Sequence, residues 1–149
     1  MMPRRAIASL AIALVLSGCV GPATTTAAYR GKVVHATDAA LSEVRTVALA
    51  GRALLHGRMF QPYAEVMISG AEDALSSVQS QFDSIQPPDD KISDKLRSAL
   101  DTLLTSGLGE VSDIRIAVRR DHPSQLPTLV TALDRVADKL QAFSAEHGG

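Results

Sequence analysis

The chain has 149 residues, enough for one domain, and a formal charge of −1 from 15 Lys and Arg against 16 Asp and Glu. It contains no Trp, two Tyr, three Phe and a single cysteine. That composition excludes a basic, aromatic nucleic-acid platform, and one thiol excludes an intrachain disulfide framework.

The first segment reads as an address. Arg4 and Arg5 precede an apolar run over 6–16 that only Ser9 interrupts. As a helix this run would span about 16 Å, too short for a hydrocarbon core of about 30 Å, which excludes a stable membrane span. A charged start followed by a short apolar core is the layout of a secretory signal peptide. Leu16-Ser17-Gly18-Cys19 follows directly, and these four positions resemble a bacterial lipobox.

The resemblance to bacterial lipoproteins implies cleavage before Cys19 and a diacylglyceryl group on its thiol. Two acyl chains anchor stably where one does so only marginally. It further implies an extracytoplasmic domain held to a membrane. With Val20 after the cysteine, that is the outer membrane where the cell has two, and otherwise the outer leaflet of the cell membrane. The competing reading is an ordinary secretory leader cut near Gly21-Pro22-Ala23, with the thiol discarded. Expected boundaries are a leader over 1–18, a lipidated cysteine and flexible tether over 19–28, and a domain over 29–149. Without Arg4 and Arg5 the remaining chain carries 13 basic against 16 acidic residues.

Four segments with helical periodicity come next, divided by proline and glycine. The first covers 30–56, with Val34, Leu41, Val44, Ala48 and Leu55 on one face. Gly57 stops it, and Pro62 fits the first turn of the second. That second segment, 62–85, has Met67, Ala71, Ala74, Val78, Phe82 and Ile85 along its seam, and Pro87-Pro88 ends it. The third opens at Asp89 or Asp90 and runs to 119 with Ile92, Leu96, Leu100, Leu103, Gly107, Val111, Ile114 and Val118. The fourth starts at a Ser124 cap, takes Pro127 in its first turn and ends near 146. Its apolar face is Leu126, Leu129, Leu133, Val136, Leu140 and Phe143.

Long amphipathic helices joined by short loops predict an all-α fold, an up-down-up-down antiparallel four-helix bundle. The first segment is rich in arginine and the second has no basic residue at all. A hairpin of the two places Arg52 opposite 65–72 and Arg45 near Asp73, which predicts interhelical ion pairs there.

Catalytic and metal motifs are sparse. None of the five glutamates has a histidine three residues on, which excludes the di-iron bundle pattern. There is no Gly-x-Ser-x-Gly, phosphate loop or metalloprotease helix motif, so the expectation is a protein that is not an enzyme and has no cofactor or metal. One end of the bundle would gather His35, His147, Asp83, Asp89, Asp90 and Asp94 as a loose cation site, and His56 with Met67 would be the pair for a haem.

The far end is more distinctive. Arg58, Met59, Phe60 and Tyr63 in the first turn meet Arg119, Arg120 and His122 in the third, an apolar cluster beside cations. It suits a protein partner or an anionic envelope polymer. The same residues also fit a bland reading: Arg119 and Arg120 complement a helix C-terminus, while Met59 and Phe60 plug the core. The expected function is thus a membrane-anchored helical interaction or envelope-structural module. The alternative is a bundle that binds a small ligand, metal or haem.

Overall fold

In the computed structural model, which describes residues 23–148, four α-helices run up, down, up and down, and the described residues include no strand. They are α1 (Thr26–Leu55), α2 (Gln61–Asp83), α3 (Lys91–Arg119) and α4 (Leu126–His147), with a 3₁₀ turn at Pro123–Gln125 before the last. The leader, the lipobox with Cys19 and the first part of the expected tether lie outside the described residues.

The helix starts follow local chemistry. The Thr25 hydroxyl accepts from the Ala28 N–H at 3.1 Å and caps α1. The tether expected to reach Ala28 therefore ends sooner: Thr26–Ala28 form the first turn of α1, and Ala23 is already buried. Pro62 sits in the first turn of α2 as its missing N–H allows. Asp90 caps α3, with Oδ1 accepting from the Ile92 and Ser93 N–H groups at 2.9 and 2.8 Å. The expected Ser124 cap is not formed. Ser124 falls inside the 3₁₀ turn, and α4 begins at Leu126 without a side-chain cap.

Cross-links between helices fix their directions. Asp38, Arg45 and Arg52 on α1 bond Ser144, Gln141 and Asp134 on α4 in turn, so the two run antiparallel. On α2 and α3, Glu72 meets Arg115 and Gln79 meets Thr105 in the same descending order. This corrects the expected pairing of Arg45 and Arg52 with α2. The flank of α1 that carries both arginines, two turns apart, faces α4, and the acidic α2 finds its cation on α3 instead. Arg52 holds Asp134 through both carboxylate oxygens, at 2.7 and 2.9 Å. Because both partners are nearly half exposed, the pair contributes at most about 1 kcal/mol.

The core runs the length of the bundle. α1 packs against all three other helices, whereas α2 and α4 share no comparable interface, so α1 and α3 lie across the short diagonal. Small residues permit this approach. A Cβ on Gly107 of α3 would stand 3.5 Å from Val44, 3.6 Å from Leu75 and 3.7 Å from Val136, the point where all four helices converge.

At the end where α1 and α3 begin, Thr26 donates its hydroxyl to Asp90 Oδ2 at 2.9 Å and Ser93 donates to the same oxygen at 2.8 Å. The Ser93 N–H bond, then the hydroxyls of Ser93 and Thr26 and the Ile92 N–H, hold the Asp90 carboxyl below its ordinary value. A lowered carboxylate stabilises the fold above the unfolded-state value near pH 4, and that contribution fades as pH falls through the folded value. Asp90→Ala is accordingly expected to melt a few degrees lower than wild type at neutral pH. In melts followed by circular dichroism the gap should narrow as the pH falls below the ordinary carboxylate range. A gap that persists unchanged in acid would refute the capping account.

Beneath this end Tyr29 and Phe82 are buried with ring centroids 6.3 Å apart. The Tyr29 hydroxyl is enclosed, with Arg97 nearby but no group at hydrogen-bond geometry among the described residues. Its pKa is raised chiefly by burial, against an opposing pull from Arg97. An enclosed, unpaired hydroxyl is destabilising, so Tyr29→Phe should raise stability by about 1 kcal/mol. Urea unfolding checks this, and a loss of stability would show that the hydroxyl is satisfied after all.

Candidate tip interface

Two similar helix ends build the far tip. At the end of α1, Gly57 adopts φ 63° and donates to the Leu54 carbonyl, while Arg58 N–H reaches the Ala53 carbonyl at 2.8 Å. At the end of α3, Asp121 adopts φ 53° and His122 N–H reaches the Ala117 carbonyl at 2.9 Å. Both are left-handed C-terminal motifs that turn the chain sharply. Glycine takes this conformation without strain, and aspartate tolerates it better than most side chains.

The two turns are joined by Gln61, whose amide donates to the Val118 carbonyl at 2.8 Å and to Glu65 at 3.2 Å. The first turn of α2 is thereby tied to the last turn of α3. Arg58, Arg119, Arg120 and His122 are all exposed around it. Among the described residues none of these three arginines makes an ion pair.

The apolar residues of the tip divide into two roles. Met59 is half-buried and packs on the core, as expected of a plug. Phe60 is not a plug: it is 85% exposed, with Tyr63 at 61% and Val66 at 71%. Phe60 is the residue before α2, and Tyr63 and Val66 follow it at three-residue steps in the first two turns of that helix. Val66 was not singled out from the sequence, although its three-residue spacing from Tyr63 was available there. A shallow depression of about 220 Å³ lies beside the stripe, lined by Leu54, Leu55, Val118, Leu126 and the exposed His122.

The other sequence-derived candidates are not assembled. Among the described residues no three His, Cys, Asp or Glu side chains gather as metal ligands. His35 lines a groove between α1 and α2, His147 packs edge-on against Phe143 at 4.5 Å, and Asp90 is engaged as a cap. The His56 ring is exposed and its Nδ1–H donates to the Arg52 carbonyl at 2.7 Å, so it does not turn inward with Met67. Cys19 lies outside the described residues. Among the described residues no helix is long and apolar enough to cross a membrane.

No protein-family model matches the chain, and no curated protein or solved structure is significantly similar to it.

Proposed function

We propose that the protein is a lipid-anchored, extracytoplasmic interaction module, non-catalytic, whose far tip meets a partner in the cell envelope. The observation that carries this reading is the polarity of the bundle. Phe60, Tyr63 and Val66 are exposed beside three arginines at the tip, while the chain leaves toward Cys19 from the opposite end. Exposed apolar clusters rimmed by charge favour a contact role. The lipobox residues support the anchor.

Two measurements test it. Intact mass spectrometry of detergent-extracted membranes should find a chain starting at Cys19 with a diacylglyceryl adduct, absent in Cys19→Ala. An unmodified chain released from the membrane would end the anchor reading. A photocrosslinking residue at Tyr63 should give adducts in cells that Phe60→Ser removes, while the same probe at the exposed flank position Ala99 gives none. Equal adducts from both positions would end the tip reading.

A second reading is favoured by the groove between α1 and α2, of about 560 Å³ and lined by Ala28, Gly31, Ala36, Val78, Phe82 and Ile85. It suits a small apolar ligand. A Cβ at Gly31 would meet nothing within 4 Å, so Gly31→Leu adds bulk at the groove's lining without a clash at its Cβ. A bound ligand would raise the melting temperature of wild type and not of this variant.

A further inference from the structure

The tip exposes Phe60, Tyr63 and Val66 together with Arg58, Arg119 and Arg120, and we infer that its partner is an anionic lipid surface. This rests on the reading of the tip as the contact surface. A specific protein interface buries about 800 Å² on each partner. Three exposed side chains on the narrow end of a bundle do not supply that area. The adjoining depression, about 220 Å³, is also smaller than pockets that enclose ligands, which start at about 300 Å³.

A bilayer asks for no matching shape. The Tyr63 ring suits the headgroup level with its hydroxyl in water, and the Phe60 ring suits the apolar boundary beneath it. Arg58, Arg119 and Arg120 flank them and lie within reach of lipid phosphates, which arginine holds through paired N–H groups. Each basic residue near an anionic leaflet strengthens binding by about fivefold.

Glu65 and Asp121 share this end and bring its net charge to about +1, so the expected salt dependence is shallow. The rest of the domain carries a net negative charge, which disfavours its approach to an anionic leaflet relative to the tip. Docking is therefore end-on. With α1 about 45 Å long, the tip meets lipid that far from the point where the chain leads back to Cys19. An anchored molecule would join two lipid surfaces.

The test uses the full-length protein extracted in detergent and reconstituted into phosphatidylcholine vesicles. Flotation of protein with these vesicles reports the anchor. Light scattering on adding phosphatidylglycerol-containing vesicles reports the tip. Clustering is expected with the anionic vesicles and not with further phosphatidylcholine vesicles. Phe60→Ser should abolish it, and Arg119→Ser and Arg120→Ser should each weaken it about fivefold. All three variants should float normally and keep the wild-type circular dichroism. Floating protein that fails to cluster anionic vesicles would overturn the inference. So would clustering that survives Phe60→Ser, or tip crosslinks to a protein without any clustering. If wild type does not float, the anchor reading fails by itself. Direct co-sedimentation with anionic vesicles, with and without Phe60→Ser, then decides the tip in the same way.

Discussion

Phe82→Ala is expected to lower stability by about 3–5 kcal/mol, the range for removing a buried phenylalanine. Phe82 is 1% exposed and closes the lower core against Tyr29. It also carries the Arg97 guanidinium, 5.8 Å from its ring centroid. Arg97 in turn donates to the Asp83 carbonyl at 3.0 Å, left open at the end of α2, and to the Ile85 carbonyl just beyond it at 2.7 Å. Alanine would remove the ring's transfer energy, leave a cavity beside Tyr29 and free Arg97 from its platform. The change should appear as a lower urea midpoint with an unchanged slope. A loss under about 1 kcal/mol would mean that the site collapses freely and that the lower core is not close-packed.

Gly51→Leu is expected to destabilise by about 3 kcal/mol, at the upper end of ordinary overpacking. Even a Cβ at Gly51 would lie 2.7 Å from Val130 Cγ2, with Ile114 behind it at 3.8 Å. Valine is β-branched and stiff at χ1, so it does not swing clear, and α4 would have to move away from α1. Gly107→Ala is the internal control. Its Cβ would make only ordinary contacts, 3.5 Å and beyond, and replacing a mid-helix glycine favours the helix by about 1 kcal/mol. The two substitutions should therefore shift the thermal midpoint in opposite directions. A shift of the same sign in both would contradict the helix approach described for α1, α3 and α4.

Much of this architecture was legible in the sequence, because proline and glycine punctuate it and the apolar residues keep a helical period. Asp90, Pro62 and Gly57 each sit where their chemistry is most useful. The buried faces are wider than a single periodic stripe, however. α1 touches three helices and buries two adjoining stripes, so Val33, Thr37 and Val47 are enclosed while Leu55, on the single expected stripe, is exposed. Ile92 is 56% exposed and Ser93 is buried in its place, because the Asp90 cap turns Ser93 inward through two hydrogen bonds. The ion pairs depart from the expected partners for a different reason. Periodicity gives the height of Arg52 along the bundle, but not which of two neighbouring helices its flank faces. At the tip, composition flagged Phe60 and Tyr63, yet only packing separates them from Met59. The unpaired hydroxyl of Tyr29 has no sequence signature.

The diagonal placement of α1 has a mechanical meaning. A pull applied at the start of α1 along its axis loads that helix directly. That helix is laminated to three neighbours over its length, and Thr26 is bonded to the head of α3 through Asp90. The load is therefore carried in shear across three interfaces at once. A helix at the bundle's edge would peel away turn by turn, whereas extracting α1 requires the whole core to yield together.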